Sequence, residues 1–325
     1  MHSKIFSVLI IVLAFTSYAE AQNDLNSTFR FLNIPSSARA AALGGVNVAL
    51  PDADITHFQM NPAYLTGSDH NFFGISYLNH LTDVNMAFVS GAYHMNSIGT
   101  LGAGIRYVGY GEITGATADG VERGTFQPFD LEFTTTLSRP YNDDLQYGSS
   151  LSIIHSSYDI YSSTAVALSL GAVYTFDERT VAGFSLRNAG AQLTAFNDRK
   201  ERLPLDLRLG ITRSLEYLPF RLSLTAHSLN QWKMNTMSDE ESPNFADNIA
   251  RRLIIGGELL LSENVHFRLG YNHFLSQELK TTNRLDLAGF SLGLGVQIRR
   301  FHFDVSRSSY SEIGGLTQLS IQTRL

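Results

Sequence analysis

The one string in this chain that matches a hydrolase signature is Gly289-Phe290-Ser291-Leu292-Gly293, the Gly-x-Ser-x-Gly of a nucleophile elbow. Its chemistry would be acyl transfer from an activated serine, which needs a sharp strand-to-helix turn to stand the hydroxyl clear of the sheet. Here the alternation of large apolar with small or polar residues runs straight from Phe290 to Ile298, so Ser291 is a small inward residue of a strand. The histidines, at 2, 57, 70, 80, 94, 155, 227, 266, 273 and 302, include no pair at metal-ligand spacing on a helix. His227, His266 and His302 share an inward face with Asp206, Asp286 and Asp304, a pattern that builds a polar network and leaves a lumenal or rim esterase conceivable without any local signature for one. Cysteine is absent, which excludes disulfides, thiolate metal sites and a cysteine nucleophile. No catalytic, cofactor or metal residue is assigned, and the chain is expected to be non-enzymatic.

The elements that position these side chains are about fourteen two-faced strands between Asn71 and Leu325, which is the pattern of an antiparallel outer-membrane β-barrel. Phe301, Phe303 and Val305 alternate with His302, Asp304 and Ser306; Leu207, Leu209 and Ile211 alternate with Arg208, Gly210 and Thr212; Phe267, Leu269 and Tyr271 alternate with Arg268, Gly270 and Asn272. One face is greasy and the other is small, polar or charged, as expected for lipid outside and a polar lumen within. Connection length separates a barrel from a soluble sandwich. Tight turns near 96–97, 140–144, 177–179, 217–218, 262–264 and 299–300 alternate with longer connections, among them 111–125, 189–202, 233–250 and 275–284. An even strand number with tight turns at one end places both chain termini in the periplasm. Tyr77, Tyr93, Tyr107, Tyr110, Phe176, Phe220 and Phe274 fall near strand ends and suit an interfacial girdle.

Residues 1–21 read as a signal peptide, with Lys4, an apolar core from Ile5 to Phe15 and the small-residue site Ala19-Glu20-Ala21. That core is too short to span a bilayer as a helix, so strands are the route into the membrane. A net charge of −6 and the lack of a basic cluster argue against nucleic acid.

Residues 22–68 do not alternate and are expected to fold into the lumen as a plug with short helices. Ser36 after Pro35 is the expected cap of about two helical turns through the alanine run, and Gly44-Gly45 ends them. A second short helical piece precedes Asn61-Pro62-Ala63, where Asn61 and Pro62 suit a turn or helix start. An arginine inside the lumen requires carboxylates, so Arg39 is the candidate latch, with Asp130, Glu132, Asp206, Asp286 and Asp304 as its expected partners; the alternative is a solvated arginine at the rim.

The string Phe31-Leu32, Ser36-Ser37-Ala38-Arg39-Ala40-Ala41-Ala42-Leu43-Gly44-Gly45, then Asp52 and Asn61-Pro62-Ala63, resembles the N-terminal hatch of FadL-like barrels of Bacteroidota, and more narrowly that of PorQ-like components of the type IX secretion system. Two departures are Phe58-Gln59-Met60 before Asn61, where an aromatic often adjoins the motif, and a terminal Leu325 in place of phenylalanine. The resemblance implies a docking barrel that anchors PorZ alongside PorU and PorV in a complex that links cargo to anionic lipopolysaccharide. On that reading the outward loops carry the function, with Asp119 and Glu122 in one and Asp239, Glu240 and Glu241 in another as candidate partner contacts. The alternative is a FadL-like transporter of hydrophobic small molecules, and a continuous apolar path between plug and wall would mark it. The inward faces read as mostly polar, which favours docking.

Overall fold

The computed structural model describes residues 27–79, 83–116, 119, 121–197, 200–236, 243–279, 287–311 and 314–325. The proposed signal peptide, Asp286 and the acidic trio Asp239, Glu240 and Glu241 lie outside these.

Fourteen antiparallel strands close on themselves, because β1 (Phe72–Asn79) pairs with both β2 (Asn85–Met95) and β16 (Gly314–Arg324). Between them run β3 (Gly99–Gly109), β6 (Phe129–Pro140), β7 (Leu145–Tyr158), β8 (Tyr161–Asp177), β9 (Thr180–Thr194), β10 (Asp206–Ser214), β11 (Phe220–Ala226), β12 (Leu253–Leu260), β13 (Val265–Asn272), β14 (Phe290–Ile298) and β15 (Phe301–Ser311), each paired with its sequence neighbour. The long β3–β6 connection carries a separate hairpin, β4 (Ile113–Ala116) and β5 (Glu122–Phe126). Closure satisfies every strand edge, the condition for a sheet to exist in lipid.

The outward face is apolar and exposed. Ile105 is 48% exposed, Ile153 51% and Leu319 51%, in line with their counterparts on every other strand. The inward face carries the small and polar set: Ser76, Ser90, Thr134, Ser150, Ser223, Ser291 and Ser320 are all buried. This inversion of a soluble core is what a membrane barrel presents. Tyr77, Tyr93, Tyr107 and Phe176 are exposed aromatics, while Tyr110 and Phe274 depart from the expected girdle and turn toward the lumen's long-loop mouth. Ser291 lies inside β14, buried and with no helix following, so no nucleophile elbow forms.

Residues 27–70 fill the barrel. They contain 3-10 turns at Arg30–Asn33, Ile55–Gln59, Pro62–Tyr64 and Gly67–Asp69, and one short helix, α1 (Ala38–Ala42). Two further short helices lie in long-loop connections, α2 (Phe245–Ala250) and α3 (His273–Glu278). The plug's Leu32, Leu43, Leu50, Ile55, Phe58, Met60 and Leu65 are almost wholly buried, each such burial being worth about 1.5–3 kcal/mol against an exposed reference.

Candidate functional site: the plugged lumen and its outer vestibule

α1 is shorter than expected, five residues in all. Its cap is Ser37, whose Oγ accepts from the Ala40 N–H at 3.1 Å, so the helix starts one residue later than a Ser36 cap would place it. Ser36 instead donates to the Thr56 carbonyl at 2.9 Å and ties α1 to the next plug turn. At the other end the Gly45 N–H reaches the Ala40 carbonyl at 2.9 Å and the Gly44 N–H reaches Ala41 at 3.2 Å. This closure requires a left-handed residue, and Gly44 supplies it at φ +94°.

The wall is cut to receive this helix. A Cβ on Gly270 of β13 would lie 2.2 Å from the Gly44 nitrogen, one on Gly293 of β14 would lie 2.4 Å from Ala42 Cβ, and one on Gly183 of β9 would lie 1.7 Å from the Val48 carbonyl oxygen. Gly171 of β8 makes room for Asn61 in the same way. Asn61 Oδ1 accepts from the Ala63 N–H at 3.0 Å and so starts the Pro62–Tyr64 turn, while its Nδ2 donates to the carbonyls of Val48 at 2.9 Å and Ala172 at 3.2 Å. The motif Asn61-Pro62 is thus a plug-to-wall clamp.

Arg39 is 6% exposed and fully engaged. Its Nε and Nη2 each donate to Glu258 of β12 at 3.0 Å, and Nη2 also reaches Asp52 Oδ1 at 2.7 Å. Arg221 of β11 donates to both carboxylates, and Arg268 of β13 bonds Glu258 at 2.8 Å while pairing with Asp304 of β15. Three guanidinium groups therefore meet three carboxylates. Partial desolvation works against charging Asp52, and Arg39 and Arg221 outweigh it, holding this half-exposed carboxyl well below the usual range. The partner set corrects the expected one: Glu258 and Asp52 bind Arg39 directly, and Asp304 joins only through Arg268. Asp130 is instead bound by the hydroxyls of Tyr110, Tyr158 and Ser156, Glu132 pairs with Arg106 at 3.4 Å, and Asp206 pairs with Arg208 at 2.5 Å. The inner polar network is carried by arginines more than by histidines. His227 lies just beyond β11, buried beside Ser228, and His266 and His302 flank the Arg39 cluster.

Above α1, toward the long loops, the lumen changes character. Phe29, Phe31 and Leu32 of the plug cluster with Leu78, Met86, Val108, Ile154 and Leu316 from the wall. Beside this cluster opens a cavity of about 490 Å³, lined by Phe31, Ile34, Val108, Phe274, Leu279 and Leu316, with Asp206, Arg208 and His227 at one side. This vestibule has the size of a small-molecule site and a largely apolar accessible surface, and polar side chains such as Asn272, Glu278, Ser291, Ser308 and Gln318 also line it. Sequence reasoning missed it, since it arises at strand ends where one or two apolar inward residues per strand are outnumbered by polar ones. Asp119 and Glu122 are exposed in the β4–β5 hairpin and do not line the cavity. Among the described residues no cluster of three or more acidic or histidine ligands is placed to hold a metal.

No protein-family model matches the chain, and neither does any curated protein. Solved structures do. The chain is similar to the Pseudomonas putida toluene transporter TodX, with a TM-score of 0.56 at 12% identity over 89% of this chain and 96% of that one. It is also similar to the monoaromatic hydrocarbon channel CymD, with a TM-score of 0.55 at 12% identity over 92% and 99% of the two chains. A Pseudomonas aeruginosa FadL homologue gives 0.51 at 11% identity over 89% and 98%. At such identities the likeness is one of fold: a closed, 14-stranded antiparallel barrel like those of these neighbours. The narrower resemblance to PorQ-like secretion components draws no support from these neighbours.

Proposed function

We propose that this protein is a non-enzymatic outer-membrane channel that admits small hydrophobic molecules from its long-loop end into the vestibule above the plug. The observation that carries this reading is the apolar cavity at Phe31, Ile34, Val108 and Leu316, in a fold shared with hydrocarbon channels. It reverses the weight that a mostly polar lumen gives to docking. The tight turns face the periplasm and the long loops the exterior. Cells that express the barrel are expected to take up a radiolabelled monoaromatic hydrocarbon faster than cells without it, and Ile34→Asp, which puts a charge on the vestibule floor, is expected to abolish the gain. Equal uptake with and without the barrel would refute the reading.

A second reading keeps the type IX role, in which the barrel anchors PorZ beside PorU and PorV and contacts anionic lipopolysaccharide. It is favoured by the close seating of α1 against the wall glycines and the ion cluster below the vestibule, which suit a barrel kept shut. Asp119, Glu122 and the 239–241 acids remain its candidate contacts. Co-purification of PorU, PorV and PorZ from outer membranes would support it, and their retention after deletion of 236–246 would exclude that loop as the contact.

A further inference from the structure

Two charge clusters occupy the lumen, and only one of them is balanced. Around Arg39 three guanidinium groups meet three carboxylates. In the long-loop half, among the described residues, Arg106 of β3, Arg187 of β9 and Arg208 of β10 face Glu132 and Asp206 alone. Asp130 is occupied by the hydroxyls of Tyr110, Tyr158 and Ser156. All three arginines are at most 1% exposed, and each guanidinium lies within electrostatic reach of the other two.

Arg187 is the unmatched member. Its Nη2 donates to the plug's Leu32 carbonyl at 3.3 Å, its Nε and Nη1 have no partner, and no carboxylate pairs with it among the described residues. Arg106 repeats the pattern: Nη1 donates to the adjacent Phe31 carbonyl at 3.0 Å and Nη2 is bare. Arg208 spends Nη1 on Met60 Sδ at 3.6 Å, a weak acceptor. A guanidinium offers five N–H donors and does not give up its proton in a protein, so burial leaves compensation by an anion as the remedy.

We propose that Arg106, Arg187 and Arg208 hold one small inorganic anion of the halide class between the barrel wall and the plug's first turn. The bare N–H groups belong to separate guanidinium groups, and Phe31, Leu32 and Met60 accept from the N–H groups beside them. That geometry suits a compact monatomic ion approached from several directions. Arg208 also lines the vestibule, which gives the ion a route from the long-loop end. Because Arg106 and Arg187 grip two consecutive plug carbonyls, the anion cancels the repulsion among the side chains that hold the Arg30–Asn33 turn in place. Halide binding and plug seating are therefore coupled.

Wild-type crystals soaked in bromide test this without any substitution. An anomalous peak within hydrogen-bonding reach of Arg187 Nε or Nη1 is expected; water there, or bromide only on the outer surface, would overturn the proposal. In solution, the unfolding temperature of the detergent-solubilised barrel is expected to rise with the logarithm of chloride relative to gluconate at equal ionic strength. Arg187→Met is expected to lose that rise and Arg187→Lys to keep part of it. Superimposable chloride and gluconate curves for the wild type would equally overturn it.

Discussion

Removing Glu258 should unseat the plug far more than removing Arg39, although the two are partners. Glu258 accepts from Arg39 at 3.0 Å, Arg221 at 2.9 Å and Arg268 at 2.8 Å. Glu258→Ala leaves three buried guanidinium groups facing only Asp52 and Asp304, and stranding buried charge of this kind costs about 3–5 kcal/mol. Arg39→Ala leaves Glu258 bound by Arg221 and Arg268. The surplus negative charge then falls on Asp52, whose side chain is 53% exposed and is solvated, so the loss is nearer that of charged hydrogen bonds, about 1.5–3 kcal/mol. The chain has no cysteine, so Ser36→Cys, at a position with 0% exposure, gives a single reporter that a maleimide reaches only when the plug leaves. With labelling proportional to the open fraction, Glu258→Ala is expected to speed it by about two to three and a half powers of ten, and Arg39→Ala by about one to two. Unchanged heat-modifiable migration on gels would show that the barrel wall is intact in both. Equal rates in the two variants, or the reverse order, would refute the charge accounting.

Further outcomes follow from the same geometry. Gly270→Val is expected to leave the barrel closed as a sheet but to expose the Ser36→Cys reporter, because even a Cβ there meets the Gly44 nitrogen at 2.2 Å; labelling and gel migration measured together check this. The Asp52 carboxyl is held below its ordinary value, so its contribution to seating is fully present above an unfolded pKa near about 3.9 and is lost as pH falls through the lower folded value. Reporter labelling, divided at each pH by the rate for a freely exposed cysteine, should therefore be flat from about pH 5 to 8 and rise only below about pH 4, and Asp52→Asn should flatten that acid limb. In planar bilayers the wild type is expected to show no steady ion conductance at neutral pH, and Glu258→Ala is expected to show open events.

The barrel was legible because its signal is local. Each strand carries its own two-faced pattern, and each tight turn sits where the apolar alternation breaks, as between Ile298 and Phe301. The plug was legible from the loss of that alternation and from Gly44-Gly45. Arg39 could be marked as a charge that needs partners, but not matched to them. Glu258 lies 219 residues away in the apolar run Leu253–Leu260, and only barrel closure and plug seating bring the two together. The vestibule was illegible for the same reason. Leu78, Val108 and Leu316 are isolated apolar residues at the ends of mostly polar inward faces, and their meeting with Phe31 is set by four distant segments. Arg187 shows a further limit: its place on β9 can be read from the alternation, while the lack of a carboxylate partner among the described residues is a property of the folded lumen.

On the reading proposed above, the vestibule takes a small hydrophobic guest. A crystal structure of the purified wild-type barrel soaked with a brominated monoaromatic hydrocarbon tests it most directly. An anomalous bromine peak is expected among Phe31, Ile34, Val108 and Leu316, lost in Ile34→Asp. An empty vestibule at saturating hydrocarbon, in crystals where the same soak labels the outer apolar surface, would contradict it.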